Sequence, residues 1–461
     1  MIVAACSDDS FGKDSTDVTP LSDATVGDEP GFVTDEAGVP LDCLQPQNGP
    51  FPHNATIASE TWTADESPHQ IEFDTVINGT VTIDPCATVT IAAGRTLTLG
   101  PAAKIIARGE ARKPITFNAR GGAYVGIRGT GAASLDLAYV VFHGGGEPGT
   151  RATDLAGTIE LSGDATKPAQ PLLAVRNVIV EGSRSSGIVL SNSAGFVAGS
   201  SALTVIGSSS FPIVIGARAA GTVPNGAYSG NGTDRIALSA TGGNEGVRED
   251  VTLRAVGVAY QVGTPSTPGT LEVGTGTGTG LATLKIDQGV ALAVKKGGVI
   301  SIDGTPGTAA ATGALVAEGG ASTPIVFTSA EASPAAGDWR GIWFGQVPAA
   351  QNRIDNAEVR FAGGASTVAS ASCNVVTGQQ NDAAIRIFGV PTTQFVTNTK
   401  FLTSAANGVD RGWTDPADAG ADASSTTFLP TNSFTTIARC TQTLPRFADG
   451  GCPATVACPV P

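Results

Sequence analysis

Charge and aromatic rings are both scarce in this chain. Charged residues make up 15% of it and Phe, Tyr and Trp together 5%. Methionine occurs once and histidine three times. Long amphipathic helices need Leu, Glu, Lys and Arg at 3.6-residue spacing, and such windows are few, which excludes a helical bundle and a βαβ enzyme core. No apolar run reaches the roughly 18 residues of a membrane-spanning helix. Basic residues number 27 against 41 acidic, a net charge of −14, and an acidic surface repels phosphate backbones, so a nucleic-acid partner is excluded. What the chain does have is glycine and proline, 60 and 28 of 461 residues. That is a turn-rich, all-β composition.

The order in that composition is a repeat. Residues 80–100 read TVTIDPCATVTIAAGRTLTLG, with apolar pairs at Val81/Ile83, Val89/Ile91 and Leu97/Leu99, each eight residues after the last. Residues 284–304 read LKIDQGVALAVKKGGVISIDG, with pairs at Leu284/Ile286, Leu292/Val294 and Ile300/Ile302 at the same spacing. The two segments align without gaps, Ile83 on Ile286 and Gly94 on Gly297. Alternation predicts strands with one face in and one out, and turn residues every eight positions predict three such strands per coil of about 24 residues. Stacked coils make a solenoid whose inward positions form continuous apolar ladders. The duplication continues downstream: 103–117 aligns with 313–327 at six of fifteen positions, and AYVVFHGG from Ala138 aligns with AEVRFAGG from Ala357. The offset grows from 203 to 219, as loops lengthen around a fixed core. A β-sandwich is the rival fold, but it does not require a register of eight through three strands.

The phrases 82–85 (TIDP), 103–117 and 337–344 (GDWRGIWF) resemble bacterial surface and periplasmic right-handed parallel β-helix repeat proteins, relatives of the pectate-lyase-like superfamily. The resemblance covers roughly residues 60–440 and implies a right-handed parallel β-helix in two related halves. It does not select an activity, because the architecture hosts lyases, hydrolases, adhesins and non-enzymes.

Five segments are expected. Residues 1–6, MIVAAC, resemble the end of a bacterial lipoprotein signal, which makes Cys6 the lipidated residue, and Ser7 after it resembles the outer-membrane default. Residues 7–55 form an acidic tether with ten acidic residues and one lysine, Lys13, through Asp42. The halves of the β-helix follow at 56–246 and 247–440, and 441–461 is a Cys/Pro-rich tail. The other six cysteines, Cys43, Cys86, Cys373, Cys440, Cys452 and Cys458, fit disulfides in an oxidising compartment. Several pairings are open. Cys86 falls on a turn and Cys43 at the end of the tether, so a Cys43–Cys86 bond would pin the tether to the first coil. The remaining four would pair near the C-terminal end.

Signals for chemistry are sparse. His53 and His69 read as too far apart to form a local pair, and His143 as a turn residue. Charge clusters occur at Asp234/Arg235 and at Glu245/Arg248/Glu249/Asp250; both read first as solvated turns. No nucleophile elbow, P-loop or calcium nonapeptide repeat is present, so no catalytic residue, cofactor or metal is expected. Trp339 and Trp343 are four residues apart. If Ile342 and Phe344 face inward, both Trp face outward about 13 Å apart, with Tyr124 as the first-half counterpart of Trp339, and could stack on sugar rings. A loop such as 331–337 folding over them would bury them instead. The expected function is a non-catalytic, membrane-tethered, cell-surface or periplasmic β-helix, structural, adhesive or weakly glycan-binding. The alternative is a polysaccharide lyase or glycoside hydrolase acting on the outer groove. The expected partner is a polysaccharide or cell-envelope component, with the membrane reached only through the lipid, and the protein is expected to be a monomer.

Overall fold

The computed structural model describes residues 42–239, 245–267, 269–275, 280–303, 306–307, 309–373, 380–414 and 426–452. Cys6, most of the expected tether and Cys458 lie outside them. The alternating segments are strands with alternating burial: Thr80–Ile83, Thr88–Ala92 and Thr96–Leu99 each bury Val, Ile or Leu and turn Thr outward. Parallel pairing stacks these strands coil upon coil, as in a parallel β-helix. One column shows the result: Leu97, Ile127, Ile159, Ile188, Ile213, Ile236, Tyr260, Leu292, Phe327, Val359, Phe401 and Phe434 stand in register. All but Phe434 are fully buried. A branched aliphatic or aromatic residue at each level lets every ring or branch pack on the next, with about 25 cal/mol gained per Å² of apolar surface removed from water.

The same column measures the coils. One turn takes 23 residues from Ile213 to Ile236, close to the period read in the sequence, but 42 from Val359 to Phe401. Extra residues sit in the corners. Where two strands meet at a tight corner, the residue between them takes a left-handed conformation. Asn356 (φ 49°) and Asn398 (φ 47°) do so one above the other, and asparagine tolerates that region well.

Both halves are present, but they are not stacked in phase. A 14-stranded sheet runs the length of the described solenoid. In the first half it takes the third strand of the repeat, Thr96–Leu99, and in the second half it takes the second, Ala291–Val294. The other strands follow: those of the first half form a 12-stranded sheet, and those of the second form two five-stranded sheets. The crossing falls between Arg235–Ser239 and Ala259–Val262, which pair directly. Thr61 and Thr252 nevertheless hold equivalent places, pairing with Thr82 and Lys285, which the duplication aligns.

The two expected ends differ from the structure. The tether was expected to reach residue 55, but the chain is held from Asp42 onward. Asp42 pairs with Arg112 at 2.8 Å, Cys43 is bonded to Cys86 (Cα–Cα 5.5 Å), and the amides of Gln47 and Asn48 both bond Asp65. The first strand is Phe51–Pro52. At the other end, residues 441–446 are not a free tail. They lie on the last coil, with Gln442 bridging Val409 and the Thr443 hydroxyl bonded to Asp410 at 2.9 Å. Cys373 is bonded to Cys452, and Cys440 is also in a disulfide.

Candidate functional site

The aromatic pair is the first correction. Trp339 is fully buried, Trp343 is 6% exposed and Tyr124 is fully buried, so none offers a face to a sugar. The alternation argument fails at Gly341. That residue has φ +105° and the strand begins only at Ile342, so counting in twos back to Trp339 gives the wrong face. Trp339 turns into the core and its Nε1 donates to the Arg360 carbonyl at 2.8 Å. Tyr124 also turns into the core, shortly before Gly126.

Trp343 does point out of its sheet, but it is covered. The cover is the segment 361–373 rather than 331–337. Val368 packs with Trp343, Val299 and Phe388 in a small cluster outside the main core. Beneath it lies Arg386, wholly buried, its guanidinium 5.2 Å from the Trp343 ring centre and 4.9 Å from that of Phe388. It bonds the Ser366 hydroxyl at 2.6 Å and the Val368 carbonyl at 2.9 Å, and faces Asp382 at 3.4 Å and Asp410 at 3.6 Å. Burial pushes the Asp410 carboxyl above the ordinary aspartate range, against the pull of Arg386 and of the Ser372 and Thr443 hydroxyls. The whole constellation holds the cover over Trp343 and Arg386.

The carboxylate clusters do not converge either, and the second is not a solvated turn. Glu245 is buried and holds the Asn192 amide at 3.0 Å and the Ser239 hydroxyl at 2.6 Å. Glu249 holds the Ala169 amide and Asp250 the Thr283 amide, while Arg248 pairs with Glu272 at 2.7 Å. Each side chain ties the crossing between the halves to a different coil. Asp234 caps its own turn through the Gly230 and Asn231 amides, whereas Arg235 reaches Gln261 and the Ala330 carbonyl. His143 lies 3.4 Å from Glu181 on the surface. His53 and His69, expected to be apart, are in contact: Nε2 of one is 3.0 Å from Nδ1 of the other. One coil here takes only 18 residues, Phe51 pairing with His69, which the local spacing did not disclose.

The concave feature that strand register builds was not read from the sequence. On the outer face of the long sheet, Thr130, Ser162 and Ser191 stand in one column that continues through Gly216 to Ser239. Beside it runs a column from Arg128 through Glu160 to Val189, Val214 and Ala237. Together with Leu155, 38% exposed at the end of a short helical turn, the residues of these columns other than Gly216 and Ala237 line a groove of about 240 Å³. Its end is closed by Glu160, which accepts from Arg128 Nη2 at 3.3 Å, Arg151 at 3.0 Å and the Gly157 amide at 2.9 Å. Among the described residues no group of three or more His, Cys, Asp or Glu could hold a metal ion. No protein family, curated protein or solved structure matches this chain.

Proposed function

We propose that this protein is an exported, non-catalytic β-helix that serves as a surface or periplasmic scaffold and holds glycan weakly in the groove of its long sheet. The observation that carries the reading is a hydroxyl column, Thr130–Ser162–Ser191, beside two apolar side chains that reach the surface, half-buried Val189 and exposed Leu155. Neighbouring strands are about 4.8 Å apart, so hydroxyls recur at about the length of one sugar unit, and the Val189 and Leu155 side chains beside them suit the apolar face of a pyranose. Glycoside hydrolysis requires two carboxyls. Of the described residues lining the groove only Glu160 carries one, and both its oxygens are engaged. The disulfides fit an oxidising compartment, and a lipid at Cys6 would anchor the chain at a membrane, by its resemblance to lipoprotein signals.

The test is a glycan array with turnover assays on neutral and acidic polysaccharides, run on wild type and Val189→Asp. Weak binding, micromolar at best, that Val189→Asp abolishes without any turnover is the expected result. Turnover by wild type overturns the non-catalytic reading, and binding unchanged by Val189→Asp overturns the groove. Anchoring is tested by membrane partition, which Cys6→Ser should abolish.

A further inference from the structure

The first coil ends in a chain of polar contacts that needs one more hydrogen than its neutral groups supply. His53 is 5% exposed and His69 fully buried. Glu60 Oε2 lies 2.9 Å from His53 Nδ1 and accepts from Trp62 Nε1 at 3.0 Å. His53 Nε2 lies 3.0 Å from His69 Nδ1, and His69 Nε2 lies 2.8 Å from the Thr63 carbonyl. A carbonyl only accepts, so His69 Nε2 carries a hydrogen. The second half confirms the role of that position: Tyr260 stands where His69 stands, and its hydroxyl donates to the Arg254 carbonyl, also six residues back. An ionised Glu60 only accepts, so His53 Nδ1 carries a hydrogen too. Two neutral imidazoles are then exhausted, and two lone pairs face each other across the contact between the rings.

We propose that the gap between His53 Nε2 and His69 Nδ1 is a proton-binding site that charges the first coil once, with Glu60 as its counter-ion. A proton from solvent adds to one nitrogen lone pair and is donated to the other ring, completing the chain from Glu60 to Thr63. One proton, not two, is taken up, because a second would oppose two hydrogens across the same contact. The ionisable groups facing the pair are Glu60, Glu66 and Asp84, all acidic, so no cation competes for the role. His69 also stacks on Trp62, with centroids 5.4 Å apart and planes 18° from parallel, so the charge lies against the ring that begins the apolar core. Burial lowers both rings from the ordinary histidine value, against the attraction of Glu60 for His53 and the Thr63 bond for His69, which places uptake below the ordinary histidine range.

Three histidines make this measurable in the intact protein. Long-range ¹H–¹⁵N spectra of the histidine-labelled full chain, from about pH 8 to about pH 4, should show His53 and His69 moving on one shared transition of a single proton, apart from His143. Two independent transitions, movement of one ring alone, or no uptake before acid unfolding would each overturn the proposal. Glu60→Gln keeps a hydrogen-bonding group and removes the counter-charge. It should weaken proton affinity about tenfold, one pH unit, and an unmoved midpoint would refute the role of Glu60.

Discussion

Tyr124 and Trp339 stand at the same point of the repeat, one in each half, both fully buried just before a glycine and a strand. Trp339 finds the Arg360 carbonyl for its polar atom, whereas the Tyr124 hydroxyl has no partner among the described residues. Duplication thus transmitted a position and a volume without transmitting a hydrogen bond. A glycine packed too closely for any side chain was transmitted as well. Gly145 and Gly364 are equivalent, and a Cβ at Gly145 would lie 2.6 Å from the Tyr124 ring, while one at Gly364 would lie 2.4 Å from the Gly337 carbonyl. The inside of this solenoid is therefore shared between the halves, and polar completion is settled locally, by whatever the next coil brings within reach.

The local additions should break first. Arg386→Met removes the cation beneath the 361–373 cover and leaves two acids near a buried site. It should cost as much as about 5 kcal/mol, read as a large drop in thermal midpoint, and adding Asp410→Asn should recover part of it. At the other end, replacing Cys43 and Cys86 by Ser opens a loop of 43 residues. The chain-entropy bound is about 4 kcal/mol, and release of the leading segment should appear as proteolysis before Phe51. The shared features should break alike. Gly126→Ala and Gly341→Ala each drive a methyl to about 2.6 Å from a carbonyl of the next coil at positive φ. Both should destabilise by about 2 kcal/mol, and a tolerant site in one half alone would argue against equivalence.

Two smaller effects sharpen the contrast. Trp339→Phe should cost about 1 kcal/mol beyond its lost volume, whereas Tyr124→Phe should be neutral or stabilising, since it deletes a buried hydroxyl without a partner. Acidification gives the smallest effect. Burial holds His53 and His69 below the ordinary value, so the unfolded chain takes up protons first. Stability present above the unfolded histidine range is then lost as the pH falls through it toward the folded value. A thermal midpoint that rises on acidification through that range would reverse the sign.

Much of the fold was legible because the apolar pairs at eight-residue spacing are the core itself: Val81, Ile83, Val89, Ile91, Leu97 and Leu99 are all buried. The Cys43–Cys86 bond was legible from a turn position. The outward faces were not. Placing Trp339 needed the backbone at Gly341, and placing Trp343 needed a cover whose residues lie some twenty positions away. The His53–His69 contact and the Thr130–Ser162–Ser191 column exist only through register between coils of unequal length, from 18 residues between Phe51 and His69 to 42 between Val359 and Phe401. Spacing along the chain cannot supply that register.

The shift of one strand between the halves bears on avidity. Two tandem copies of a sticky surface usually reward a flat partner twice, because the second contact is made at high effective concentration. Here equivalent outward residues belong to different sheets, Thr96–Leu99 to the long one and Val299–Ile302 to a five-stranded one. A planar partner lying along one side meets a given motif once. Duplication lengthened the body without doubling its grip, and each side was left free to acquire its own occupant.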